Sequence, residues 1–230
     1  MAKGRPREFD VDEALDRALW VFWRRGYEGA TLADLTQAMG INRPSLYAAF
    51  GSKEELFCKV LDRYVEGPAV RVREALNEPT ARAVAERLLG GVIDTVTDRR
   101  NPRGCLLVQG ALACGETAES VRRELAARRL AGEDAVRQRF ERARTDGDLP
   151  AEVDPAVLAG YVVTVMRGIA VQAAGGASRE DLRRVAEMAM RAWPERDQEA
   201  NRAGIPVRRA GGGLRAGQGP RLARGRAIEP

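Results

Sequence analysis

The sequence predicts an all-α protein, with an N-terminal three-helix helix-turn-helix domain followed by a larger helical domain and about nine helices in total. Three observations predict this. Apolar residues recur at three- and four-residue spacing as far as Trp193. Ser, Thr, Asp or Asn residues suited to helix N-caps precede many of these stretches, several with an acid three positions on. Beyond Tyr64 there is no two-residue alternation and no Asn-Gly hairpin cue.

The first helix starts at Asp10 and ends at Gly26, with an inward stripe of Val11, Leu15, Ala18, Leu19 and Phe22. Trp20 and Trp23 flank that stripe and read as packing residues. Thr31 caps the second helix, Asp34 completes its capping box, and Leu35, Ala38 and Met39 point inward until Gly40 stops it. Asn42 caps the third helix and Pro44 falls in its first turn, where a missing N–H costs nothing. This helix runs to about Phe50. Ser52 and Glu55 form a second capping box, opening a fourth helix with Phe57, Val60, Leu61 and Tyr64 inward. Gly67 and Pro68 end or kink it, and a helical pattern resumes over 69–76. Further helices read over 80–97, 105–114, 118–144, 155–174 and 179–193. Asp154 before Pro155, and Ser178 with Asp181, mark two of the starts.

The turn between the second and third helices is three to four residues long, as a DNA-reading helix-turn-helix requires. On a helical wheel Leu46, Ala49 and Phe50 share the core-facing side of the third helix. Pro44 and Ala48 lie opposite, flanked by Ser45 and Tyr47, with Arg43 at the N-terminal edge. These residue types suit base reading: Arg43 pairs bidentately with guanine, Ser45 bonds a base edge or phosphate, and the Ala48 methyl meets a thymine methyl. Thr31, Tyr47 and Lys53 suit phosphates, as do the N–H groups of the helix starts. On geometry alone a second reading stays open. In it the helices form an interaction module that binds no DNA, and Arg43, Tyr47 and Lys53 are incidental surface residues.

Three stretches go further: GYEGATL at 26–32, AMGIN at 38–42 and SLYAAFGSKEELF at 45–57. Through them residues 9–64 resemble the TetR family of one-component bacterial transcription regulators. The resemblance implies DNA-backbone contacts from Thr31, Tyr47 and Lys53, and base contacts from Arg43, Pro44, Ser45 and Ala48. The chain departs from many relatives, which carry Gly at the Pro44 position and aromatics or His at those of Ala48 and Ala49. The resemblance also implies a homodimer through the last two helices and a small-molecule effector held by the helices between. The expected function is thus a ligand-responsive regulator, a repressor in the family's usual mode, on a palindromic double-stranded operator. Domains are expected at 1–51 for DNA binding, 52–193 for effector binding and dimerisation, and 194–230 as a disordered Arg/Gly-rich tail.

Two helical stretches carry the dimer expectation: Leu158, Tyr161, Val162, Val165, Met166 and Ile169, then Leu182, Val185, Ala186, Ala189 and Trp193. For the effector pocket, Gln109, Tyr161, Met166 and Gln172 combine polar handles with apolar bodies, and no charged constellation names the ligand. An effector beneath the kink at Gly67 and Pro68 is expected to shift the helix that starts at Ser52 and carry the reading head with it.

Composition narrows the chemistry. The chain has no histidine, which removes Ser-His-Asp triads, His acid–base catalysis and the commonest metal ligand. Its three cysteines are too scattered for a zinc cage, and Cys105 and Cys114 would face opposite sides of one helix. Cys58 lies off its helix's apolar stripe and reads as a partly exposed thiol. No catalytic constellation, cofactor motif, signal peptide or span of about 18 apolar residues is read, so a non-enzymatic, cytoplasmic protein is expected. The net charge of +5 gives little support to DNA binding, because residues 1–51 hold seven basic and seven acidic side chains. Residues 194–230 alone supply +4, from eight Arg against four acids. Lys3, Arg5 and Arg7 do form a basic arm before the first helix, suited to a minor groove or else a solvated terminus.

Overall fold

The computed structural model describes residues 9–112 and 118–194, and among these it holds ten α-helices, one 3₁₀ turn and no strand. Lys3, Arg5, Arg7, Cys114 and nearly all of the Arg/Gly-rich tail lie outside the described residues.

Helix α1 (Val11–Gly29) opens on the Asp10 carboxylate, which accepts the N–H groups of Asp12 and Glu13 at 2.8 and 3.1 Å. Its regular course is broken at Gly26 (φ 70°, ψ 179°), where the sequence predicts its end. Trp23 is buried and its Nε1 donates to the Gly104 carbonyl at 3.0 Å, whereas Trp20 stays exposed. Helices α2 (Leu32–Met39) and α3 (Arg43–Phe50) join through Gly40 in the left-handed region at φ 68°. There the N–H of Gly40 reaches the Gln37 carbonyl and that of Ile41 the Thr36 carbonyl, a Schellman closure that a Cβ would strain.

Helix α4 (Lys53–Glu66) is the hub of this end of the molecule. Leu56, Phe57, Val60, Leu61 and Tyr64 are all buried. They share one core with Phe22 and Trp23 of α1, Leu35 of α2, and Leu46 and Phe50 of α3. Phe57 meets Phe22 edge-on at 4.9 Å and Tyr64 meets Trp23 at 4.8 Å. The same core continues into Leu106, Val121 and Leu125, so the helix-turn-helix rests on α7 (Leu106–Leu112) and α8 (Glu119–Thr145) as well as α4.

At Gly67 and Pro68 the chain breaks into a separate short helix, α5 (Val70–Glu74), and a 3₁₀ turn (Ala75–Asn77). That break accounts for ten helices where about nine are predicted. Helices α6 (Ala81–Thr97), α8, α9 (Pro155–Ala174) and α10 (Arg179–Arg191) build the remaining core, closed at one end by Trp193 edge-on to Phe140 at 5.8 Å.

Helix α9 corrects the expectation of no long apolar span, since by length and composition it is apolar enough to cross a membrane. It is apolar on two faces. Leu158, Val162, Val163 and Ile169 are buried against α6, α8 and α10, so most of the stripe expected at a subunit interface is the chain's own core. The opposite face leaves Val157, Tyr161, Thr164, Gly168 and Val171 exposed at alternating four- and three-residue spacing, without a charge among them. Helix α10 adds Val185 and Met188, 49 % and 62 % exposed.

Candidate nucleic-acid interface

The third helix is held by its ends and its inner face. The Asn42 side chain accepts the Ser45 N–H at 2.8 Å, and Leu46 and Phe50 are buried with Ala49 packed beside them. At the far end the Lys59 ammonium donates to the Phe50 carbonyl at 3.1 Å, where the helix dipole favours a cation. This packing turns Arg43, Pro44, Tyr47 and Ala48 outward, with Ser45 half-buried among them. Tyr47 is 49 % exposed, too much for a core aromatic. No acidic residue lies on α3, and among the described residues Arg43 has no ion-pair partner. An outward face of one cation, small side chains and hydroxyls has the chemistry to approach base edges.

Thr31 and Lys53 flank that face at the starts of α2 and α4. The Thr31 hydroxyl donates to the Asp34 carboxylate at 2.8 Å and accepts the Asp34 N–H at 3.1 Å. Asp34 also meets Arg25 of α1 at 2.6 Å. The Thr31 hydrogen bonds, with smaller help from Arg25, hold the Asp34 carboxyl below its ordinary pKa. Because the Thr31 proton is already committed to Asp34, the donors left at this end are the first-turn N–H groups of α2.

The Lys53 ammonium sits 4.5 Å from the centre of the Tyr27 ring. Tyr27 is itself pinned against Phe57 at 5.2 Å and stacked on Phe22 at 6.2 Å. Lys53 is therefore aimed by an aromatic platform that the sequence reading missed. Its signal was an aromatic directly after the helix-breaking Gly26, inside a motif read only as a resemblance.

A second structural feature lies behind the reading head. A cavity of about 370 Å³ opens between α4, α5, α6, α8 and α9. Val65 and Ala69 line it from either side of the Gly67–Pro68 break, with Val72, Leu88, Val136 and Val163 among its apolar walls. Of the four residues predicted for a pocket, Met166 lines this cavity and Gln109, Tyr161 and Gln172 do not. The Tyr161 hydroxyl donates to the Ala189 carbonyl at 3.0 Å, which turns it towards α10. Gln172 lies on the exposed side of α9, and Gln109 packs beneath Gly104 with its Oε1 buried and without a hydrogen-bond partner among the described residues. The wall also carries Arg73, Arg128, Arg129, Arg167 and Glu133, a charged set where the sequence showed no charged constellation.

Burial pushes the Cys58 thiol up, away from the reactive thiolate, and Cys105 is half-buried beside Tyr64. No group of three or more potential metal ligands occurs among the described residues.

Comparison with known proteins decides what kind of protein carries this arrangement. Residues 14–60 match the family described as bacterial regulatory proteins, tetR family, and residues 85–189 match a tetracyclin repressor-like C-terminal domain. The HTH-type transcriptional repressor ComR of Escherichia coli is 32 % identical over 196 residues, 84 % of this chain and 93 % of ComR. The chain belongs to the TetR family. It is thus a helix-turn-helix transcription regulator and not an enzyme. Another TetR-type relative, the repressor BdcR of Escherichia coli, is 30 % identical over 190 residues, 81 % of this chain and 90 % of BdcR. Among solved TetR structures, a cysteine mutant of CifR in complex with 26-base-pair operator DNA is 47 % identical, with a TM-score of 0.79. That match covers 83 % of this chain and all of the CifR chain. The N-terminal TetR match spans every outward residue of α3 together with Thr31 and Lys53.

Proposed function

We propose that the protein is a cytoplasmic repressor that binds a palindromic operator as a homodimer and is released by a small-molecule effector. The observation that carries this is the acid-free outward face of α3, in a chain 47 % identical to a regulator solved on operator DNA. In this reading Arg43, Pro44, Ser45 and Ala48 meet base edges, and Tyr47, Lys53 and the capped start of α2 at Thr31 meet phosphates. Small residues at 44 and 48 let the helix sit deep, and Arg43 supplies most of the base discrimination. Lys3, Arg5 and Arg7 extend the contact into the minor groove.

Two copies pair through the uncharged exposed stripe of α9 and the exposed Val185 and Met188 of α10, which sets the spacing of the two reading heads. The effector occupies the cavity beneath the Gly67–Pro68 break. There it touches α4 and α5 directly, so a ligand that favours one position of α4 changes the separation of the recognition helices.

The test is a gel shift with the DNA flanking the protein's own coding region. Binding of one dimer to a palindrome there, lost on scrambling either half-site, is expected. Tight binding of a single monomer to one half-site would overturn the dimeric reading, and no sequence-specific shift would place the operator away from the protein's own gene.

A further inference from the structure

The cavity behind the reading head carries more positive charge than its own carboxylates answer. Arg128 is held by Asp62 at 2.7 Å and Glu124 at 2.6 Å, and Arg167 by Glu133 at 3.0 Å. Arg73 and Arg129 have no carboxylate partner among the described residues. Arg129 is the telling one. Its guanidinium is half-buried, with Nη1 donating to the Leu107 carbonyl at 3.1 Å, and Arg167 donates to its backbone oxygen at 3.0 Å. Burial first, and then the neighbouring Arg167, disfavour its charge. A guanidinium has five donors, and one backbone acceptor satisfies few of them. The rest of the wall is aliphatic.

We infer that the cavity takes an amphipathic anion, its apolar body against Val72, Leu88, Val136, Val163 and Met166 and its carboxylate or phosphate head on Arg129. This rests on the effector reading above and names the chemistry of that effector. A neutral ligand offers Arg129 at most an uncharged acceptor, and a cation adds a third like charge beside Arg129 and Arg167. An anion supplies the bidentate acceptor that a guanidinium matches best. The volume, near the lower end of ordinary ligand sites of roughly 300–1,000 Å³, limits the body to a single chain or one small ring system. The head's charge also competes with Asp62 for Arg128, and Asp62 is on α4. Charge recognition and movement of the reading head therefore meet at one arginine pair.

The test is calorimetric titration of the full-length protein with decanoate, decyl phosphate, decanol and decylammonium, in parallel with release of operator DNA. Expected is binding of at least one anion roughly tenfold or more tighter than decanol, and none of decylammonium. Which anion binds tighter tells a carboxylate from a phosphate head. Arg129→Gln is expected to erase the anion's advantage while leaving decanol affinity and the thermal midpoint unchanged. Should Arg129→Gln lower the midpoint, Arg73→Gln on the exposed rim replaces it, with a partial loss of the same advantage expected. Equal affinity for decanol and the anions, or no binding of any probe, overturns the anionic assignment. Release of DNA by decanol without a charge preference overturns it while sparing the effector reading. Arg129-dependent anion binding that leaves operator affinity unchanged does the reverse.

Discussion

Arg63 grips Asp16 through two parallel hydrogen bonds, Nε to Oδ1 at 2.7 Å and Nη2 to Oδ2 at 2.8 Å, joining α4 to α1. The residue before it, Asp62, meets Arg128 of α8. Two consecutive side chains of α4 thus reach the helix-turn-helix on one side and the cavity on the other. Both ion pairs are partly exposed, so each contributes only about 0–1 kcal/mol to stability. Their larger effect is on coupling. Asp16→Asn is expected to leave the melting temperature within a few degrees while shrinking the ratio of operator affinities measured with and without effector. An unchanged ratio would assign the coupling to the Phe57 and Phe22 packing instead.

Arg43 and Tyr47 separate base reading from phosphate anchoring. Arg43→Ala is expected to cost about 1–3 kcal/mol of operator binding and to relax base preference at one position per half-site. Tyr47→Phe is expected to weaken operator and random DNA alike, with the preference between them kept. Competition gel shifts with single-base operator variants check both outcomes.

Gly51 caps α3 at φ 79°, and a Cβ there would overlap the Glu55 carboxylate that closes the next capping box. Gly51→Ala is therefore expected to destabilise the protein by about 1–3 kcal/mol through backbone strain and the lost cap. Chemical denaturation measures this loss. Operator affinity should fall with it, because the displaced turn sets the position of Lys53.

Acid should loosen the reading head. The backbone and side-chain hydrogen bonds from Ser52 hold the Glu55 carboxyl below its ordinary value of 4.5, and Thr31 does the same for Asp34, ordinarily 3.8. A lowered folded pKa means stability that is fully present above the ordinary value and lost as pH falls through the folded one. Urea midpoints should hold from neutral pH down to about 5 and decline below 4.5, more shallowly in Glu55→Gln than in the wild type.

The exposed stripes of α9 and α10 predict the assembly. A Val185→Glu and Met188→Glu pair replaces the two large exposed apolar side chains of α10 with charges. Light scattering should then report a monomer, with operator affinity reduced by roughly tenfold or more while helicity is retained. A dimer that survived the substitutions would move the interface elsewhere.

Much of the reading head was legible in the sequence because its signals are local. A capping box spans four residues, a Schellman turn six, and a wheel of eight separates Leu46 and Phe50 from Arg43 and Ala48 whatever lies beyond. Net charge was no guide, since the N-terminal 51 residues are balanced and the surplus lies in the tail. Other features waited on the tertiary structure. The platform under Lys53 comes from Tyr27, 26 positions earlier, and the cavity wall gathers Arg73, Arg129 and Arg167 from three separate helices. Helix α9 is apolar nearly all round, so its periodicity could not say which face meets α6 and α8 and which stays open. Local hydrogen bonding and side-chain period are written in neighbouring residues. Which arginines stay unpaired, and which apolar face stays exposed, depends on the side chains that distant segments bring or fail to bring.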